Sequence, residues 1–170
     1  MRTLAKLKGI ILDFDGLIFD TETPELVAWS EIFQDFGINF PEAEYLNIVG
    51  QAVDDAAPLQ ILSRFSQISF DPASIMQKKR QKVLELLKSQ EVLPGVNRLL
   101  KEAKSYNLKI GLASNSDPRW VLNHLNNLRI RDFFACVKTS NDVINAKPDP
   151  SLYLETLKCL NLQTNEVIAF

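Results

Sequence analysis

The stretch GIILDFDG, residues 9–16, sets Ile10, Ile11, Leu12 and Phe14 between two glycines and places Asp13 and Asp15 at its far end. A short apolar run bounded in this way reads as a β-strand buried on both faces, the kind found in parallel sheets. Asp13 and Asp15 are two apart, so in an extended chain their side chains share a face and converge on one spot. Asp20 and Glu22 follow closely and crowd the strand end with carboxylates.

The same grammar returns late in the chain. LKIGLAS (108–114), FFACVKT (133–139) and EVIAF (166–170) are short apolar runs, separated by helical patterns at residues 118–128 and 150–160. Strands alternating with crossover helices predict a parallel sheet. Residues 21–92 interrupt this alternation. TPELVAWSEIFQDFG (23–37) predicts a helix capped by Thr23, with Pro24 in its first position, Leu26, Trp29, Ile32, Phe33 and Phe36 at helical spacing, and Gly37 at its end. Further helices are predicted over residues 56–65 and from Asp71-Pro72 towards Lys88, with no strand between them. VLPGV (92–96) then punctuates the chain ahead of an amphipathic helix over residues 96–106. The predicted fold is therefore α/β, a Rossmann-like parallel-sheet core of residues 1–20 and 93–170. An all-helical cap domain, residues 21–92, is inserted after the first strand through hinge-like connections near residues 16–20 and 91–95.

Composition narrows the function classes. Of 170 residues, 46% are hydrophobic and 24% charged, the balance of a folded, water-soluble chain. Nineteen Lys and Arg against 21 Asp and Glu leave no basic excess for a polyanion, so nucleic acid is not an expected partner. No apolar stretch approaches the roughly 20 residues of a membrane helix, and no membrane association is expected. The start, MRTLAKLKGIILDFDG, begins basic and turns apolar, but Asp13 and Asp15 break it early, so it reads as a strand of a cytoplasmic protein and not as a signal peptide. Cys136 and Cys159 are too far apart for a CxxC pair and too few for a disulfide scaffold; reduced, half-buried thiols are expected.

In open α/β sheets, ligands sit beyond the carboxyl ends of the strands. The residues delivered there are Asp13, Asp15 and Gly16 after the first strand, Ser114, Asn115 and Ser116 after the second, and Lys147 of NAKPDP a few residues after the third. Two carboxylates held together repel, and a bound cation, a shared proton or both relieve the repulsion. Hard oxygen ligands favour Mg²⁺, which keeps several waters and bridges substrate phosphate oxygens. A carboxylate can also attack phosphorus to give an aspartyl-phosphate. Ser114, with the amides of a helix opened by Asp117-Pro118, suits phosphate oxygens, and Lys147 suits their charge. Taken alone, Ser114 and Asn115 read as a turn and helix cap and Lys147 as a surface lysine. On one rim with two aspartates they make a phosphoryl-transfer site.

DFDGLIFDTE, LASNS and KPDP, in this order and with VLPGV after the helical insertion, resemble the first three motifs of the haloacid dehalogenase superfamily, in its phosphatase and β-phosphoglucomutase-like branch with a helical cap. The resemblance implies that Asp13 is the nucleophile and that Asp15 protonates the leaving oxygen and then activates water as a base. It implies Mg²⁺ held by the Asp13 carboxylate, the Asp15 main-chain carbonyl and a further acid. Gly16, Ser114 and Asn115 would hold the phosphoryl group, Lys147 would balance charge and orient Asp13, and Glu25, Gly50 and Gln51 would touch substrate from the cap. The implied activity is Mg²⁺-dependent hydrolysis of a small phosphorylated metabolite through phospho-aspartate, by a monomer or weak dimer. The alternative is a phosphomutase of the β-phosphoglucomutase type, which passes the phosphate to a second sugar hydroxyl. The early cap helix lacks a histidine, which favours hydrolysis, and the second aspartate tells against a true dehalogenase, whose halide leaving group needs no acid. Family members carry an acidic pair just after the strand that here is VIAF. The sequence stops at Phe170, so a C-terminally shortened form lacking the fourth motif is expected, and a catalytically impaired fragment is a further alternative.

Other residues read more plainly. Asp20 and Glu22 suit hinge geometry near Thr21 and Thr23 as well as they suit substrate contact. Lys78, Lys79, Arg80 and Lys82 read as a solvated helix face. Asp149-Pro150 reads as the cap and first residue of a helix. His124, the only histidine, shows no partner and is expected on a helix surface or packed. A phospho-receiver domain would share the carboxylates, hydroxyl and lysine, but its crossover helices are short and the long helical insertion argues against it.

Overall fold

The computed structural model describes residues 7–47 and 56–170. Four strands, β1 (Gly9–Leu12), β2 (Lys109–Ala113), β3 (Cys136–Lys138) and β4 (Val167–Ala169), pair in the order β3-β2-β1-β4, all parallel. Each lies within a stretch expected to be a strand, trimmed at the ends where the apolar run outlasts the ladder. Seven α-helices accompany them among the described residues: α1 (Glu22–Asp35), α2 (Glu42–Leu46), α3 (Ala56–Phe65), α4 (Pro72–Leu87), α5 (Val96–Ser105), α6 (Pro118–Asn127) and α7 (Ser151–Leu160). The chain divides into two compact units. One takes in the described residues up to Asp20 together with Glu91–Phe170, and the other is Thr21–Gln90.

In the sheet unit, α5 and α7 both pack on β2. Ile11, Ala113 and Cys136 from three adjacent strands form one cluster with Leu152, Leu157 and Leu160 of α7. Strand alternation turns Ile10 and Leu12 to the opposite face, and they are as deeply buried, as a strand covered on both sides requires. Gly111 sets how closely α7 approaches: a Cβ there would lie 2.5 Å from Thr156 Cγ2. The strand order reverses between β1 and β4, and such a switch point is where open α/β sheets leave a crevice at their carboxyl edge.

The second unit contains helices and no strand among its described residues. Trp29, Ile32 and Phe33 of α1 are buried with Tyr45, Ile61, Leu62 and Ile75, and edge-on ring pairs join Phe33 to Phe40 and Phe36 to Phe70. Asp71 caps α4 by accepting from the Ala73 and Ser74 amides.

Several expectations need correction. Helix α1 starts at Glu22, before Thr23, with Thr21 at its N-cap making no side-chain capping bond; Pro24 still falls in the first turn, where a missing N–H costs no helical bond. The short α2 falls within the block expected to be helical, but five residues carry too little periodicity to place it. Lys79 is not solvated. Its ammonium donates to Glu25 Oε1 and Oε2 at 3.0 and 2.9 Å, while Lys78 and Lys82 pair at the surface with Asp35 and Glu31. Cys136 and Cys159 are not separate thiols but a disulfide, with Cα atoms 6.2 Å apart; contact between α7 and β3 brings together residues 23 positions apart in sequence. Among the described residues, no helix is long and apolar enough to cross a membrane.

Candidate active site

β1 ends in a tight turn that fixes both aspartates. The Phe14 carbonyl accepts from the amides of Ile18 and Phe19 at 2.9 and 3.2 Å, and Gly16, at φ +72°, donates its own amide to Phe19 O at 2.8 Å. Glycine is suited to this left-handed position, which needs no Cβ. Phe14 and Phe19, almost wholly buried, anchor the turn from below with ring centroids 6.0 Å apart. Asp13 accepts the Phe14 amide on Oδ1 at 2.7 Å.

Asp15 is held by the segment that follows β2. Its Oδ2 accepts from Ser116 Oγ at 2.6 Å and from Ser114 Oγ at 3.2 Å, and its Oδ1 accepts from the Trp120 indole N–H at 3.1 Å. Ser114 is fully buried and donates its amide to Lys138 O, so the ends of β2 and β3 stay in register. Asp117 opens α6 by accepting the Arg119 amide, with Pro118 in the first turn.

Lys147 arrives from the loop after β3. Its ammonium donates to Ala113 O at 2.7 Å, lies 3.0 Å from Asp13 Oδ1 and stands 4.9 Å from the centre of the Tyr153 ring. The loop is fastened at both ends. Near its start, Ser140 donates from its amide and hydroxyl to Ser116 O, and Thr139 donates to Asp142. Partial burial would raise the Asp142 carboxyl, but hydrogen bonds from Lys138 and Thr139 outweigh it and hold the group below the ordinary carboxylate range. Near its end, Asp149 accepts from the Ser151 hydroxyl and amide, which lower its carboxyl in the same way. Helix α7 thus begins at Ser151, one residue later than expected, with Pro150 and not Asp149 at its N-cap position, although Asp149 accepts the Ser151 amide.

The expected residues are distributed as follows. Asp13, Asp15, Ser114 and Lys147 come together at the carboxyl edge of the sheet. Asn115 is one step removed: its side chain accepts from Lys147 N at 2.8 Å and donates to Lys147 O at 3.2 Å. The Gly16 amide is committed to the turn. Glu25 belongs to the helical unit, where it pairs with Lys79, and Gly50 and Gln51 lie outside the described residues. Ser116, expected at this edge after the second strand, holds Asp15. Sequence reasoning does not single out Trp120, although its place in the first turn of a helix that starts at the strand ends is a usable signal.

The donor chemistry suits a hard cation. Asp13 Oδ2 accepts no hydrogen bond among the described residues, on a side chain 36% exposed, and the Asp15 carboxylate is already committed to three donors. The described residues hold no cluster of three or more His, Cys, Asp or Glu side chains placed to bind a metal.

The sequence model described as haloacid dehalogenase-like hydrolase matches residues 10–170. A Bacillus subtilis (strain 168) protein named "Putative phosphatase YhcW" is 37% identical over 164 residues, which cover 96% of this chain and 74% of that protein. A Thermotoga maritima protein named "Phosphorylated carbohydrates phosphatase" is 28% identical over 166 residues, covering 96% of this chain and 76% of its own length. The crystal structure of a "putative beta-phosphoglucomutase from Thermotoga maritima" superimposes with a TM-score of 0.81 at 27% identity, covering 96% of this chain and 76% of that one. With the family match running from β1 to the last residue, the chain belongs to the haloacid dehalogenase-like hydrolases.

Proposed function

We propose that this protein is a Mg²⁺-dependent phosphatase that hydrolyses a small phosphorylated metabolite through an aspartyl-phosphate on Asp13. The reading is carried by the meeting of Asp13, Asp15, Ser114 and Lys147 at one sheet edge, with Lys147 Nζ 3.0 Å from Asp13 Oδ1 and Ser114 Oγ 3.2 Å from Asp15 Oδ2. The names of its relatives, phosphatases among them, support it.

In this reading an Asp13 carboxylate oxygen attacks phosphorus, the bond from phosphorus to the ester oxygen breaks, and Asp15 gives its proton to the departing alkoxide. Asp15, now a carboxylate, takes a proton from the water that attacks the phosphoryl group. The phosphorus–Asp13 bond breaks, inorganic phosphate leaves, and both aspartates return to their starting states. Lys147 steadies Asp13 and the phosphoryl charge, and the Ser114 segment presents donors to the phosphoryl oxygens. Mg²⁺, held by the Asp13 carboxylate and the Asp15 main-chain carbonyl, supplies charge neutralisation and orientation when bound.

The helical unit, taken as residues 21–92, acts as the substrate-selecting cap, with Glu25, Gly50 and Gln51 as its contact residues. The protein works in the cytoplasm as a monomer or weak dimer. A phosphomutase is the second reading, favoured by the likeness to a β-phosphoglucomutase structure. Product analysis on the full-length protein tests both. Mg²⁺-dependent release of inorganic phosphate from a panel of sugar phosphates supports hydrolysis, isomerised sugar phosphate supports the mutase, and neither product overturns the proposal.

A further inference from the structure

We infer that Trp120 is a positioning residue for Asp15, holding its carboxylate in place through Oδ1; the inference rests on the acid/base role proposed for Asp15. The three donors around Asp15 are not equivalent. Ser114 and Ser116, both on Oδ2, are hydroxyls that can turn and accept, whereas the indole N–H on Oδ1 can only donate. Oδ1 is therefore held by a donor that cannot reverse its role, and the indole fixes the carboxylate more firmly than either rotatable hydroxyl.

The indole is itself held in place. His124, one turn along α6, packs against it at a tilt of 50° with ring centroids 4.2 Å apart and has Nδ1 2.8 Å from Trp120 O. The His124 ring also lies 5.1 Å from the Phe19 ring, and Phe19 belongs to the turn that carries Asp15. A closed chain of contacts thus runs from Asp15 through Trp120 and His124 to Phe19 and back along the backbone. Residues on that chain have few ways to move independently, which is what a general acid needs from its supports.

Trp120→Phe removes the N–H and keeps an aromatic ring against His124. In the full-length protein with Mg²⁺, kcat/KM is measured for ethyl phosphate, whose alkoxide needs a proton to leave, and for 4-nitrophenyl phosphate, whose leaving group does not. The expected result is a loss of about tenfold or more on the ethyl ester and less than about threefold on the aryl ester. The ratio of the two values does not depend on how much of the preparation is folded, and Trp120→Leu gives a second reading of it. An unchanged ratio in both variants overturns the inference. Asp15→Asn in the same assay separates the two levels: if it shifts the ratio and the Trp120 variants do not, only the role of Trp120 fails, and if it leaves turnover intact, the proposed function fails.

Discussion

Asn115 and Lys147 grip one another through two hydrogen bonds, the amide of Lys147 donating to Asn115 Oδ1 at 2.8 Å and Asn115 Nδ2 donating to Lys147 O at 3.2 Å. The side chain after β2 thereby fixes the backbone that delivers the lysine. Asn115→Ala is expected to cost about 1–2 kcal/mol of stability in denaturant unfolding. Turnover is expected to fall about tenfold, because Lys147 then arrives loosely placed. Turnover unchanged within error would assign Asn115 no part in positioning.

Lys147 has a more direct part. Its ammonium reaches both Asp13 and the carbonyl of Ala113 from a side chain only 15% exposed. Removing a fixed cation from a site where negative charge develops costs about 10²–10³ in rate. Lys147→Ala is expected to show that loss in kcat while thermal unfolding shifts by only a few degrees. A variant that unfolds early but turns over normally when folded would contradict the assignment.

Gly111 tests the packing that builds the sheet edge. A valine there would drive its Cβ into Thr156 and Leu160 of α7, whose near atoms lie 2.5 and 3.0 Å from an ideal Cβ. Gly111→Val is expected to destabilise by about 2–3 kcal/mol in urea unfolding. A change below about 0.5 kcal/mol would mean that α7 does not sit where it is described.

Asp142 makes a prediction in pH. Its carboxyl lies below the ordinary range in the folded protein, so the unfolded chain binds the proton more readily. Its contribution to stability is therefore complete above the unfolded value, near pH 4, and is lost as the pH falls through the folded value. The stability gap between wild type and Asp142→Asn should be constant around neutrality and shrink on acidification below about pH 4. Chemical unfolding across that range checks it, and a gap that widens on acidification would contradict the assignment.

Much of this was legible in the residues. The strand at 9–12 and its parallel partners follow from short apolar runs that need cover on both faces, and the helix starts at Asp71-Pro72 and Asp117-Pro118 follow from capping chemistry. Asp13, Asp15, Ser114 and Lys147 could be brought to one edge because parallel strands all end on the same side. What could not be read was side-chain pairing across distant elements. The burial of Lys79 against Glu25, the Cys136–Cys159 bond and the reach of Trp120 to Asp15 all depend on how close two helices, or a helix and a strand, come to lie. Local periodicity carries no such distance.

The proposed reaction depends most directly on Asp13. Full-length protein and its Asp13→Asn variant, incubated with Mg²⁺ and a ³²P-labelled sugar phosphate and quenched in acid, are compared for label retained on protein and for phosphate released. Label on the wild type alone, with release in the variant reduced by about 10⁴ or more, is the expected result. Phosphate release by Asp13→Asn at the wild-type rate would contradict it.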